Sequence, residues 1–267
     1  MALRVAVFGA GGRMGSTVCR AVMDDPDLEL VAAVDPHHAG IDLRQVTRLD
    51  TDLVVSAGAE ALLSARAEVA VDFTLVDAAR ANTDWCAAHG VHAVVGTSGF
   101  DDEDVARAER TFTSSNCVIA PNFAIGAVLM MHVAELAAPW FDTADIVETH
   151  HDAKVDAPSG TAMATAERMV AASPDWAADP TTNHVLDGAR GATLGGIRLH
   201  SLRVRGMLAH QEVVLGTTGQ SLTIRHDSYD RSSFMPGVVL AVKAVPDLPG
   251  VTLGLDRLLG LEPPSAP

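Results

Sequence analysis

Apolar and polar positions follow two different rhythms along the chain, and the change comes near residue 124. From Leu3 to about Phe123 the runs "LRVAVF", "LELVAAVD", "VAVDF", "HAVVG" and "CVIA" are short, continuous and rich in Val and Ala, as expected of strands buried on both faces. Between them Met14 to Met23, Asp77 to His89 and Asp101 to Phe112 carry helical spacing. The latter two open on acidic residues, which suit the partial positive charge of a helix N-terminus. Strand and helix in alternation predict a parallel sheet with helices on both faces.

Beyond Ile125 the rhythm changes. One long apolar helix over about 125–138 leads to a strand around Ala144 to Thr149, then a polar loop, a helix from about Thr161 to Val170, and a Pro/Asp/Thr-rich loop from Ser173 to Thr182. "GIRLHSLRV", "HQEVVLG" and "SLTIRHD" then follow one another with only glycine-containing turns between them, which predicts a mixed or antiparallel sheet. A last helix spans "SFMPGVVLAVKAV", where Pro236 fits only in the first turn, and a short tail "GVTLGL" precedes a final "EPPSAP" expected to be disordered. The pattern therefore predicts two α/β domains. Residues 1–123 and 232–267 would form a doubly wound parallel-sheet domain, and residues 124–231 an α+β domain with a mixed sheet.

Composition narrows the partners. With 267 residues and 48% apolar content the chain can bury a sizeable core. Nineteen Lys and Arg against 34 Asp and Glu leave a net charge of -15, which repels phosphate backbones and anionic lipid headgroups. Nucleic acid and membrane surfaces are not expected partners, and an anionic ligand must find its cations locally. Cys19, Cys86 and Cys117 are odd in number and share no metal-ligand spacing, which argues against a disulfide framework and for a reducing, cytoplasmic setting. "MALRVAVFGAGG" lacks a signal-peptide pattern, and the apolar stretch ending in "AAPWF" contains His132 and Glu135, so it reads as a buried helix and not a membrane span.

The first strand runs directly into "VFGAGGRMGST". Gly9, Gly12 and Gly15 form a G-x-x-G-x-x-G pattern, with Met14 where the commoner G-x-G-x-x-G has its last glycine. Such glycines let the backbone turn tightly and approach a pyrophosphate at a helix N-terminus, although any tight strand-to-helix turn also uses glycine. Asp35 ends the second strand twenty residues after Gly15, where a carboxylate would meet the adenosine ribose of a Rossmann-type site; the alternative is a turn former before Pro36. That carboxylate about 4 Å from a 2′-phosphate would cost up to ~4 kcal/mol at an effective dielectric near 20. Arg13, His37, His38 and Arg44 lie near enough in sequence to offset this, so the expectation is NADH at least as good as NADPH. "VVGTSGF" puts Gly96, Thr97 and Ser98 at the same end of the sheet, and "IAPNFAIG" adds Ala120, Pro121, Asn122 and Phe123.

The richest chemistry lies in "ETHHDAKVDAPSGTA", residues 148 to 162. Adjacent His150 and His151 at a strand end point to opposite faces, a poor arrangement for zinc. Pro158 and Gly160 around Ser159 do not make a nucleophile elbow. For any single residue a structural role is the better reading, with Asp156 and Ser159 capping the next helix. As a cluster, His150, His151 and Lys154 make a cationic, proton-donating patch in an acidic protein. "PSGT" opens a helix whose amides suit a carboxylate, a combination fit for an acidic small molecule that is protonated while it is reduced.

Together "GAGGRMG", "VDFT", "VVGTSGF", "APNF" and "HHDAKVDAPSGTA" resemble the 4-hydroxy-tetrahydrodipicolinate (dihydrodipicolinate) reductases of bacterial lysine and diaminopimelate synthesis, in order from residue 3 to about 240. "APNFAIGAVLM" and "AHQEV" look most like the actinobacterial branch. The resemblance implies reduction of 4-hydroxy-tetrahydrodipicolinate to tetrahydrodipicolinate by NADH or NADPH, without a metal, in a homotetramer assembled through the second domain's sheet. It also implies that Gly9, Ala10, Gly11, Gly12, Arg13 and Met14 wrap the pyrophosphate, that Asp35 meets the ribose, and that Gly96, Thr97 and Ser98 with Ala120 to Phe123 line the nicotinamide side. His150 would donate or accept a proton, Lys154 would donate one, and His151, Gly160 and Thr161 would bind the carboxylates of a dicarboxylate substrate. Ser98 replaces a common threonine, and Pro36 stands where some members have an arginine. The rivals are an NAD-dependent dehydrogenase of another amino-acid-derived acid and a nucleotide sensor without turnover. An acylating semialdehyde dehydrogenase would need a reactive cysteine, and Cys117 lies in an apolar strand.

Overall fold

The Val- and Ala-rich runs form the strands of a six-stranded parallel sheet in a computed structural model that describes residues 1–261; "EPPSAP" lies outside the described residues. In chain order the first unit contains β1 (Leu3–Phe8), α1 (Arg13–Asp24), β2 (Leu28–Val34), two short helices α2 (Leu43–Thr47) and α3 (Glu60–Ser64), β3 (Val69–Asp72), α4 (Val76–His89), β4 (His92–Val95), α5 (Asp102–Thr111) and β5 (Cys117–Ile119). The second unit has α6 (Ile125–Ala137), β6 (Thr143–His150), α7 (Gly160–Ala172), β7 (Ala192–Leu194), β8 (Ile197–Arg203), β9 (Ala209–Thr217) and β10 (Gln220–Ser228). The chain then returns to the first unit with α8 (Met235–Ala244) and β11 (Val251–Leu253).

The units are Met1–Phe123 with the chain from Phe234 onward, and Ala124–Ser233. The return crossing falls two residues later than position 232, because a 3-10 turn over Arg231–Phe234 carries the chain into α8. Pro236 sits at the start of α8, where its missing N–H costs nothing.

In the first sheet the order is β11-β5-β4-β3-β1-β2. From β1 the chain steps outward to β2 and then returns to the other side of β1 to lay down β3. Strand order therefore reverses at β1, and the loop after β1 opens at the crevice where such sheets take ligands. Val5, Ala6 and Val7 of β1 are essentially sealed from solvent, which accounts for the uninterrupted apolar run. Val251–Leu253, expected as a tail, is the edge strand β11, hydrogen-bonded to β5 in parallel register. β11 and β7, with three residues each, and α2 and α3, with five, are too short to show a period.

Helix α5 shows how local chemistry is fixed in this unit. Asp101 and Asp104 form a reciprocal capping box, and the buried Asp104 carboxylate also receives Arg80 Nε at 2.8 Å and Arg107 Nη2 at 2.9 Å. The hydrogen bond from Arg80 leads in holding the Asp104 carboxyl down at about 2. Because its folded value is depressed, its contribution is present above the ordinary aspartate range and is lost as pH falls toward about 2. Asp104→Asn is expected to cost roughly 2–4 kcal/mol at neutral pH and to flatten the acid limb between about pH 4 and 2, as read by urea midpoints. An unchanged limb would remove Asp104 as its source.

The second sheet has the order β10-β9-β6-β8-β7, with β6 and β8 parallel and the other pairs antiparallel. Ala144, Ile146 and Glu148 of β6 are buried, and α6 and α7 pack within this unit against its strands and each other. On the other face Val147, Thr149, Leu202, Glu212 and Arg225 line a hollow. Among the described residues no helix is long and apolar enough to cross a membrane.

Candidate active site

Five of the turns in the first unit follow the C-terminal ends of parallel strands. Gly9 has φ +68°, its N–H donates to the Val34 carbonyl at 2.7 Å, and its own carbonyl accepts from Gly12 at 2.9 Å, so the loop closes before α1 begins. No side chain caps the N-terminus of α1 and no acidic residue lies in its first turn. A Cβ on Gly15 would overlap the Gly9 carbonyl, and one on Gly11 would lie 2.8 Å from Asp35 Oδ2 and against the His38 ring. Close backbone packing therefore demands glycine at 15, and the Asp35 and His38 side chains leave no room for a side chain at 11, both at the mouth of the crevice.

Asp35 is buried at the end of β2 and accepts from the Gly11 and His37 amides, each at 3.0 Å. It caps the following 3-10 turn, as a turn former would, and it also faces the glycine loop. His38 Nδ1 lies 3.3 Å from Asp35 Oδ2, yet it is buried without a hydrogen-bond partner. Arg44 turns away and pairs with Asp50 and Asp52. A glycine cradle that any side chain would fill, an acidic residue at its rim and an orphaned imidazole nitrogen beside them fit the adenosine and pyrophosphate of a dinucleotide.

Asp72 joins the neighbouring turns. Its buried carboxylate accepts from Thr74 N at 2.8 Å, Thr97 Oγ1 at 3.1 Å and Asn82 Nδ2 at 2.7 Å, which locks the turn after β3 to the Thr97 turn after β4. Gly96 is required there because a Cβ would collide with the Phe73 ring. Ala120 donates its N–H to Val95 O, and Phe123 is buried edge-to-face against Phe73. Ser98 and Pro121 are exposed at the rim.

In the second unit, alternation along β6 puts Glu148 and His150 on one face, with Glu148 fully buried. Parallel pairing sets His150 opposite Arg203 of β8. Arg203 grips Glu148 through both terminal nitrogens, at 2.9 and 3.0 Å, and His150 Nδ1 lies 2.5 Å from Glu148 Oε2. Burial works to raise the Glu148 carboxyl, but hydrogen bonds from Arg203, Ser201 and His150 prevail and hold it below the usual carboxylate range. Burial also lowers His150 from the ordinary imidazole value; Glu148 opposes that, and Lys154 and Arg203 reinforce it.

The loop from His151 to Ser159 returns the chain to the same place. Lys154 Nζ pairs with Asp156 at 2.8 Å, and the peptide between Ala157 and Pro158 is cis. Ser159 caps α7 by accepting from Ala162 N at 3.2 Å, while its own N–H donates to Glu148 Oε1 at 3.2 Å. A Cβ on Gly160 would meet nothing within 4 Å. Glycine at that position serves no packing need in the chain itself, and it leaves the first turn of α7 open to close approach. His150, Lys154 and the start of α7 with Gly160 and Thr161 are thus gathered around the end of β6, with His151 just beyond the strand.

Both units match one family. The family model described as dihydrodipicolinate reductase, N-terminus, matches residues 3–123, and the one described as dihydrodipicolinate reductase, C-terminus, matches residues 126–259. The chain belongs to the dihydrodipicolinate reductase family. A 4-hydroxy-tetrahydrodipicolinate reductase of Cutibacterium acnes is 48% identical over 97% of this chain and 100% of its own length. The enzyme of the same name from Thermobifida fusca is 50% identical over 97% and 100%. A solved dipicolinate-bound dihydrodipicolinate reductase from Paenisporosarcina superposes with a TM-score of 0.83 at 39% identity, covering 96% of this chain and 99% of that one.

The dihydrodipicolinate reductase motifs do not account for every residue at these sites. Asp72 falls within "VDFT" without a role of its own there, and Glu148 and Arg203 lie outside the family motifs, although Glu148 stands two residues from His150, the spacing of one strand face. Arg203 had no local signal, since only the pairing of β6 with β8 brings it in. Cys117 is fully buried, and burial pushes its thiol well above the ordinary cysteine value, so it is no nucleophile. Among the described residues no three His, Cys, Asp or Glu side chains are placed to hold a metal ion.

Proposed function

We propose that this chain reduces 4-hydroxy-tetrahydrodipicolinate to tetrahydrodipicolinate with NADH or NADPH, a cytoplasmic step of diaminopimelate and lysine synthesis. The observation that carries this reading is the cluster of His150, Lys154 and the Ser159-capped helix start, in a chain whose two units both match the reductase family. Gly9, Ala10, Gly11, Gly12, Arg13 and Met14 would hold the pyrophosphate, Asp35 the adenosine ribose, and Gly96, Thr97, Ser98 and Ala120 to Phe123 the nicotinamide side. The nicotinamide, when bound, supplies a hydride.

The net reaction consumes one hydride and one proton and releases one water. His151 and the first-turn amides of Gly160 and Thr161 would hold the carboxylates, since the N-terminus of a helix favours an anion. Lys154 would deliver the proton from Nζ, with its ion pair to Asp156 keeping the ammonium at the loop, and His150 would exchange a proton beside it. Asp35 favours NADH at least as strongly as NADPH, and Arg44, one of the four cations near enough in sequence to offset its charge, is paired elsewhere. The same family reading extends to a homotetramer built on the mixed sheet, which light scattering would register as the mass of four chains.

Absorbance at the nicotinamide band tests the reading directly. A synthase makes the unstable substrate in situ from pyruvate and aspartate semialdehyde, and oxidation is followed with NADH and then NADPH. Rapid oxidation with NADH is expected. No oxidation with either cofactor, in protein that binds NADH by calorimetry, would favour a nucleotide sensor or another substrate.

A further inference from the structure

We infer that Glu148 is a positioning residue: it fixes His150 with its proton on Nδ1 and Nε2 as the acceptor, and it ties that imidazole to the first turn of α7. The inference rests on the reaction proposed above for the use made of His150, and on geometry alone for the tautomer.

A fully buried carboxylate is costly unless its oxygens are well occupied. Glu148 Oε1 accepts from Arg203 Nη2 at 2.9 Å and from Ser159 N at 3.2 Å. Oε2 accepts from Arg203 Nη1 at 3.0 Å and stands 2.5 Å from His150 Nδ1. An ionised carboxylate only accepts, so the contact with His150 requires the hydrogen on Nδ1; the other neutral tautomer would set a lone pair against a negative oxygen. Neutral His150 then presents Nε2 as an acceptor, which becomes a donor when a proton arrives.

Charge balance alone would need only Arg203. Glu148 goes further, because each oxygen also serves a second group, one on the strand end and one at the N-cap of α7. One rigid side chain therefore sets the separation between the imidazole and the helix start proposed to hold carboxylates. The charged groups acting on His150 are Glu148 from its own strand, Arg203 from β8 and Lys154 from the loop.

The tautomer is read from the imidazole 15N shifts of full-length protein labelled at histidine, at neutral pH, with His150 assigned by its absence in His150→Gln. The wild type is expected to show protonated Nδ1 and unprotonated Nε2. In Glu148→Gln the side-chain amide would face Nδ1 with its N–H, and the proton is expected to move to Nε2. Turnover of that variant should fall about 10²-fold or more, the scale seen when an orienting carboxylate is replaced by its amide elsewhere, with NADH affinity by calorimetry unchanged.

An Nε2-protonated His150 in the wild type overturns the inference, and that measurement does not require the variant to fold. An unchanged tautomer in a folded Glu148→Gln protein overturns it as well, whatever the loss of activity. Wild-type protein that lacks turnover but shows the Nδ1 proton, moving in Glu148→Gln, would support the positioning role and count against the proposed reaction instead.

Discussion

Lys154→Ala is expected to lower kcat by about 10²–10⁴-fold, the usual worth of a positioned general acid, and to leave NADH affinity unchanged. The side chain is partly shielded and its ammonium is held at 2.8 Å from Asp156, so it is an ordered group in the loop between β6 and α7. Its removal leaves the glycine loop after β1, a feature of the other unit, untouched. Lys154→Arg separates charge from proton delivery. A guanidinium keeps the cation but holds its proton too firmly to give it up near neutral pH. That variant is expected to hold KM closer to wild type while kcat stays low. Steady-state kinetics with calorimetry of NADH binding reads both quantities, and near-wild-type turnover in Lys154→Ala would remove Lys154 from the mechanism.

Gly15→Ala should have the second largest effect, through nucleotide binding. The added Cβ would lie 2.6 Å from the carbonyl carbon of Gly9, nearer still to its oxygen, and 3.0 Å from Ala10 Cα. These are backbone atoms, so no rotamer relieves the overlap, and α1 must move away from the loop. Overpacking of this kind costs about 1–3 kcal/mol, and a shift confined to the loop would weaken NADH by up to about 10²-fold. Stability should fall with it, by a few degrees in Tm. Gly160→Ala is the contrast, since nothing of the chain lies within 4 Å of its added Cβ. That substitution should leave both NADH affinity and Tm near wild type. Equal NADH affinity in Gly15→Ala and wild type would detach the glycine loop from nucleotide binding.

Much of the molecule was legible from local pattern. The continuous apolar runs of β1 and β3 could only be strands sealed on both faces, and their alternation with helices implied parallel connections. Strands without intervening helices after residue 196 implied mixed pairing. Glycines between a strand and a helix marked the loop at β1, and His150, Lys154, Gly160 and Thr161 lay within twelve residues of one another. Short elements escaped, because β7, β11 and the helices α2 and α3 are too brief to carry a period. Arg44 looked like a partner for Asp35 by proximity in sequence, yet it pairs with Asp50 and Asp52, two nearer aspartates just after its own short helix.

The division follows from the range of the forces involved. Periodicity, capping and turn chemistry act over a few residues, so the amino-acid sequence by itself determined the two α/β units, the glycine loop and the polar cluster after β6. Burial and strand register act between residues far apart in the chain, and only the tertiary structure decided them. Asp72 locks two turns together across 25 residues, and Arg203 reaches Glu148 across 55. Glu148 itself became significant only when folding of the second unit buried it, because a carboxylate without water must be given donors, and these are Arg203, His150 and the start of α7.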